Sequence, residues 1–144
     1  MIRVAREIDV ARSAGEVFDR LTRIEDLPRW QPAIIEAART SDGPLGVGST
    51  LRIVGEAAGQ RTEAVGTVTE FARPERIALD ATAGPAAVTA RVGVSALGEQ
   101  SCRVAIETEI QLGGMLRFVE GIARSRIEAE APAAAAAVKE WLES

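Results

Sequence analysis

The sequence offers few side chains for acid–base or metal chemistry. It contains no histidine and no tyrosine, and Cys102 is its single cysteine. Histidine is the commonest general base, and zinc sites are built largely from cysteine and histidine. Any reaction must therefore use carboxylates, arginine, lysine, hydroxyl groups, water or the Cys102 thiol. We expect no metal and no other cofactor, and we assign no catalytic residue.

Three polar or reactive residues fall at positions that the sequence pattern turns inward. Arg6 either points inward, where a guanidinium needs an acidic partner or a ligand carboxylate or phosphate, or extends outward along its aliphatic stem. Thr108 either hydrogen-bonds a ligand or is satisfied within the sheet. Cys102 is expected to behave as a small hydrophobic residue, because the sequence has no histidine to activate it. Glu120 and Arg124, one helical turn apart, form a solvated ion pair or reach into an internal space.

Length and charge limit the class of protein. The chain has 144 residues, a length typical of one domain, and we expect a single domain over residues 1–144. The net charge of −4 argues against nucleic acid as a partner. A membrane-spanning helix needs about 18 consecutive apolar residues, and no apolar run in the sequence approaches that length. We therefore expect no stable membrane insertion. We expect a soluble, cytoplasmic protein, either a monomer or a homodimer.

The hydrophobic pattern changes period twice along the chain. Residues 2–10 alternate as a strand with one covered face, and Ser13 with Glu16 forms a capping box that begins a short helix. A second short helix or turn ends near Trp30 and Pro32. About six strands then follow up to residue 112, forming an antiparallel meander with one face in water. The facing of residues 61–71 is left open by the pattern.

A long amphipathic helix is predicted after residue 114, with a kink expected at Pro132. Its apolar stripe is expected to cover the sheet, and it comprises Met115, Leu116, Phe118, Val119, Ile122, Ala123 and Ile127. A curved sheet wrapped around a straight helix tends to leave a space between them, and ligand sites favour such concavities. The inward positions are rich in small residues, so either a cavity is present or the sheet collapses onto the helix.

Several segments, spread over nearly the whole chain, resemble one family. They are "IDVARSAGEVFDRLTRIEDLPRWQPAI", "GVGSTLRI", "VTEFARPERIALD" and "AAAAAVKEWLES". Together with the element order, they resemble the START-like, helix-grip (SRPBCC) superfamily, and within it the bacterial polyketide cyclase/dehydrase-like group. The resemblance implies an α+β fold like that of birch pollen allergen. In it, a curved antiparallel sheet of six to seven strands wraps around a long C-terminal helix, and two short helices follow strand 1.

The resemblance also implies where a ligand would lie. Trp30 would sit beside the cavity mouth, either as a structural plug or as part of the ligand site. The candidate ligand-binding residues are Arg6, Trp30, Ile53, Val92, Val104, Ile106, Thr108, Leu116, Val119, Glu120, Ala123 and Ile127.

Three functions are compatible with the resemblance: a carrier of a small hydrophobic molecule (a lipid, polyketide or isoprenoid-like compound), a polyketide cyclase/dehydrase-type enzyme, and an interaction module with a vestigial cavity. Related cyclases use His and Tyr, which are missing here, so the carrier is favoured. A cavity of several hundred Å³ would argue against the interaction module. Two or more polar side chains converging inside it would favour the enzyme over the carrier.

Overall fold

The computed structural model describes residues 1–31, 33–57 and 59–144, and the side chains at 57, 115 and 116 lie outside the description. Helices α1, α2 and α3 span Ala14–Leu21, Leu27–Trp30 and Glu120–Glu143, and 3₁₀ turns cover Ile24–Asp26 and Gly114–Val119. The strands, β1 to β7 in chain order, are Ile2–Val10, Ile34–Arg39, Thr50–Ala57, Gln60–Ala72, Arg76–Ala83, Ala86–Gly98 and Ser101–Leu112.

The seven strands form one antiparallel sheet in the order β1-β7-β6-β5-β4-β3-β2. Strands β2 to β7 are a meander, and β1 pairs with β7 at the far edge. The outer face carries exposed ion pairs such as Arg3–Glu109 at 2.7 Å and Arg103–Asp9 at 2.8 Å. The predicted fold class is therefore confirmed: a seven-stranded antiparallel sheet with two short helices after strand 1 and a long C-terminal helix.

Helix α1 begins as the capping box predicts. The Ser13 hydroxyl accepts a hydrogen bond from the Glu16 N–H at 3.3 Å, which satisfies one of the free N–H groups of the first turn. The helix then buries Val17, Phe18 and Leu21 against the sheet. The Phe18 ring meets the Phe71 ring edge-on, with centroids 5.6 Å apart, so α1 is fixed to β4 as well.

A bulge explains why the sequence left the facing of β4 open. The pairing register with β5 shifts between Val68 and Glu70. Before the shift Gly66 and Val68 face inward and Val65 is 62% exposed. After the shift the inward position passes to Phe71, which packs against the core. The extra residue therefore lets residues of both parities reach the same face.

Helix α3 is anchored at its C-terminal end. Val138 and Leu142 are buried. The Arg20 guanidinium donates to the carbonyls of Trp141 at 3.0 Å and Leu142 at 3.3 Å, and lies 4.8 Å from the centroid of the Trp141 ring. The Glu143 carboxylate accepts the N–H of Ala11 at 2.8 Å. The Arg20 contacts satisfy carbonyls that a helix end leaves free and hold that end to α1, and the Glu143 contact holds it to the turn after β1.

The beginning of the helical segment differs from the prediction. Phe118 is 87% exposed, Ile122 76% and Val119 45%, so the predicted stripe does not cover the sheet there. The main contacts of α3 with the sheet are to β1, which is an edge strand, so its first turns have little sheet surface beneath them. The first turns of the segment are also 3₁₀ rather than α-helical. The side chains of Met115 and Leu116 are not among those that the structure describes.

The hydrophobic core lies under the two short helices. Buried residues of α1 and α2, including Phe18, Leu27 and Trp30, pack with inner-face residues of the strands such as Ile53 and Val104. Near β1 and the adjoining part of β7, the sheet is covered by α3 instead. The inner surface of the sheet is therefore divided between a packed core and the region that contains the candidate site.

Candidate functional site

A cavity of about 550 Å³ lies between β1, β7 and the middle of α3. We call it the β1–α3 cavity. Its wall is formed mainly by aliphatic side chains, with a few polar ones: Val4, Arg6, Gln31, Ala33, Thr108, Ile110, Ile127, Glu130, Ala131, Ala133, Ala134 and Ala137.

Alternation along two paired strands provides one wall. Val4 and Arg6 follow each other on the inner face of β1, as Thr108 and Ile110 do on β7. Val4 pairs directly with Thr108, whereas Arg6 pairs with Ile106, which is only 3% exposed. Arg6 therefore marks the end of the cavity that adjoins the packed core.

The opposite wall exists because α3 is rich in alanine at this point. Ala131 and Ala134, three residues apart and half-buried, face the cavity together with Ile127, while Ala133 and Ala137 line it from exposed positions. A methyl group reaches only a short distance from the helix, so this face leaves the space between helix and sheet unfilled. Pro132 lies within this part of α3, and because proline has no N–H, the carbonyl of Glu128 lacks its intrahelical hydrogen bond.

Arg6 is the cation on the cavity wall. Its Nε is buried and has no hydrogen-bond partner among the described residues. Burial lowers the pKa of the Arg6 guanidinium below its ordinary value, since removal from water disfavours the charged form. Glu130 is the other charged residue of the wall, but it is exposed and belongs to none of the ion pairs found in the described part of the chain.

The structure brings three of the sequence-derived site candidates together at this cavity: Arg6, Thr108 and Ile127. The other candidates on the strands and α2 lie in the packed core, where the short helices cover the sheet: Trp30, Ile53, Val92, Val104 and Ile106. Trp30 is 5% exposed and its indole N–H has no acceptor among the described residues. Trp30 packs within the hydrophobic core and is not among the residues that line the β1–α3 cavity.

The remaining candidates lie at the start of the C-terminal helix, away from this cavity. Glu120 accepts a hydrogen bond from the Met1 amino group and lies 3.7 Å from Arg124. The bond from the amino group is the main reason that the pKa of the Glu120 carboxyl is lowered. Glu120 also lines a second pocket of about 370 Å³ with Arg117. Val119 is exposed and Ala123 is half-buried. The side chain of Leu116 is not among those that the structure describes.

Cys102 is completely buried at the start of β7. Burial, and secondarily the negative charge of Asp9, raise the pKa of its thiol. A raised pKa keeps the sulfur protonated at neutral pH and so disfavours nucleophilic attack. The described residues also contain no group of three or more His, Cys, Asp or Glu side chains that could hold a metal ion.

A family comparison identifies the chain over most of its length. Residues 1–143 match the family described as polyketide cyclase/dehydrase and lipid transport. The chain belongs to this family. Membership supports a ligand-binding or polyketide cyclase-type role in general, without naming a ligand. A search of curated proteins finds no match to the sequence.

Solved structures of similar fold belong to the START/SRPBCC superfamily. A START superfamily protein from Mycobacterium smegmatis superposes with a TM-score of 0.71 at 22% identity, covering 96% of this chain and 98% of that one. The Zhui aromatase/cyclase from Streptomyces sp. R1128 superposes with a TM-score of 0.76 at 14% identity, covering 97% of this chain and 92% of that one. The di-domain aromatase/cyclase BexL superposes with a TM-score of 0.72 at 17% identity. The match covers 97% of this chain but only 46% of BexL. At these identities the likeness shows the fold alone.

Within this family fold, the cavity residues that the sequence interpretation missed include four alanines of α3. Their signal was present, because Ala131, Ala134 and Ala137 share one helical face. The "AAAAAV" run was used only as part of a segment that resembles the family, whereas small residues on an inward face indicate unfilled space. No inward-facing polar side chain of α3 indicated where the cavity lies along the helix, because Glu130 is exposed.

No helix in the described part of the chain is both long and apolar enough to cross a membrane.

Proposed function

We propose that this chain binds and carries a small hydrophobic ligand in the β1–α3 cavity, with Arg6, Thr108 and Ile127 among its contacts. The observation that carries the proposal is the unfilled space of about 550 Å³ behind an alanine-rich helix face. That volume lies within the roughly 300–1,000 Å³ of small-molecule sites. Moving an apolar molecule from water into such a space is favourable because its apolar surface leaves water. A cavity of this size argues against the third function considered, an interaction module with a vestigial cavity.

A polyketide cyclase-type enzyme is the second candidate, because four polar residues line the cavity: Arg6, Gln31, Thr108 and Glu130. We favour the carrier because Glu130, the one carboxylate among these four, is an exposed residue rather than one enclosed in the cavity. A general base must lie within hydrogen-bond reach of the proton that it removes and have a pKa near the working pH, which a guanidinium lacks. Binding a reactive chain in a folded conformation can still promote cyclisation.

The first experiment is native mass spectrometry of the purified protein, followed by denaturing extraction. A discrete bound mass of a few hundred daltons is the expected result. An extracted compound that the protein releases unchanged would support the carrier, whereas its conversion to a cyclised product on incubation would support the enzyme.

The second experiment locates binding with matched variants of α3. Ala134 lines the cavity, whereas Ala136, two residues along the same helix, is exposed and does not. Ala134→Phe should place a ring in the cavity, occupy part of its volume and weaken binding of decanol, measured by calorimetry, by about tenfold or more. Ala136→Phe makes the same change of residue type and should bind decanol like the wild type. Equal affinity in both variants, or no decanol binding by the wild type, would reject the β1–α3 cavity as the ligand site.

A further inference from the structure

Resting on the proposed function, we infer that the ligand is amphipathic and carries a single carboxylate, which Arg6 binds at the core end of the β1–α3 cavity. The Arg6 side chain does not match the rest of the cavity wall. The wall is otherwise largely aliphatic, yet it contains a guanidinium whose Nε is buried without a hydrogen-bond partner among the described residues. A buried donor without an acceptor is costly, and such groups are normally paired.

The geometry favours a carboxylate as the missing acceptor. Guanidinium presents its N–H donors in a planar fork that matches the two oxygens of a carboxylate. Thr108 lies on the same face of the neighbouring strand, two residues along from Ile106, the residue that pairs with Arg6. Diagonal neighbours of this kind are within reach of long side chains. The Thr108 hydroxyl can therefore donate a second hydrogen bond to the carboxylate that Arg6 binds.

The charges on the wall limit the ligand to one negative charge. Arg6 is the one cationic residue on the described wall, and Glu130 is the one anionic residue. A monocarboxylate neutralises Arg6 one for one. A phosphate monoester carries almost two negative charges at neutral pH, so the second would meet no cation on the described wall.

The position of Arg6 also sets the orientation of the ligand. Arg6 pairs with the buried Ile106, whereas Val4 and Ile110 continue the wall away from the core. The carboxylate would therefore lie at the core end. The hydrocarbon part would extend along Val4, Ile110 and the alanine face of α3.

The test compares decanoate with decanol, which share a hydrocarbon chain and differ in the charged group. Calorimetry at neutral pH should show that the wild type binds decanoate about tenfold or more tightly than decanol, as expected for a hydrogen-bonded charge. Arg6→Gln should abolish this preference, and a cooperative urea unfolding transition should show that the variant is folded. Arg6→Lys should retain part of the preference. Arg91→Gln, which removes an exposed arginine on the outer face of β6, should retain all of it.

Two failures can be told apart. If the wild type binds both compounds equally, Arg6→Gln changes neither affinity and Ala134→Phe still weakens both, the carboxylate inference is wrong and the cavity remains the ligand site. If the wild type binds neither compound, the proposed function fails and the inference fails with it.

Discussion

The proposed role of Arg6 implies that this residue lowers the stability of the free protein and contributes to ligand binding. Its guanidinium is partly withdrawn from water, its Nε lacks a hydrogen-bond partner in the described structure, and burial lowers its pKa. An arrangement of this kind persists where the group serves a purpose other than stability. The free protein should therefore bear a cost at Arg6 that a bound anion relieves.

We predict that Arg6→Met raises the free energy of unfolding of the ligand-free protein by about 1 kcal/mol, because an apolar side chain of similar length removes an unsatisfied buried donor. Urea unfolding at neutral pH measures the change. Arg61→Met removes an exposed arginine of β4 and should alter stability by less than about 0.5 kcal/mol. A clear loss of stability in Arg6→Met alone would show that the guanidinium has a stabilising partner.

The sequence predicted which face of β1 Arg6 occupies but not where its charged group lies. Period-two alternation places Val4, Arg6 and Ile8 on the inner face, and the structure agrees. The long side chain of arginine can turn back to water, so its position depends on what covers the strand. Here α3 covers it, and the closeness of a helix about 120 residues away in the chain is not encoded in the local pattern.

At the scale of elements, α3 joins the rest of the protein unevenly. Its last turns bury Val138 and Leu142 and are fixed by Arg20, whereas Phe118 and Ile122 near its beginning are largely exposed. Its middle covers the cavity. Docking of the helix should therefore depend on its C-terminal end.

We predict that Leu142→Ala lowers the free energy of unfolding by about 2–5 kcal/mol, because Leu142 is completely buried and its truncation leaves a cavity. Ile122→Ala also removes a branched aliphatic residue from α3, but at a position 76% exposed. It should change stability by less than about 0.5 kcal/mol. Chemical denaturation of both variants checks the pair, and similar losses would mean that the first turns of α3 pack against the protein in solution.

Element type was easier to predict than element packing. The capping box of α1 and the strands of the meander up to residue 112 depend on local sequence patterns, and both were predicted correctly. The apolar stripe at the start of the C-terminal helix was interpreted wrongly, because amphipathicity identifies a face but not the surface that it meets. The facing of β4 depended on the bulge near Val68, which involves pairing with another strand.

At the scale of the whole molecule, carboxylates join elements that are distant in the chain. Arg73 donates two hydrogen bonds of 2.8 Å to Asp19, linking α1 to the turn after β4. Arg103 binds Asp9 across β1 and β7, and Glu143 accepts the N–H of Ala11. These hydrogen bonds are the main reason that the pKa of each carboxyl is lowered in the folded protein.

These lowered pKa values make stability fall in acid. In the unfolded chain an Asp carboxyl has a pKa of about 3.9, so at low pH the unfolded state binds more protons than the folded state. The stability that these carboxylates contribute is present above that pKa and is lost as the pH falls from about 5 through the folded values.

We therefore predict that Asp19→Asn lowers stability at neutral pH and reduces the loss of unfolding free energy on acidification, because the variant has no carboxylate to protonate at that position. Urea unfolding at several pH values between neutral and about pH 3 gives the slope, which linkage relates to proton uptake on unfolding. Asp42→Asn is the control, since Asp42 is exposed in the loop before β3 and outside the ion pairs of the described residues. Its slope should match the wild type. If Asp19→Asn also matches the wild type, the Asp19–Arg73 contact does not persist in solution, and α1 is held to the sheet by its buried face alone.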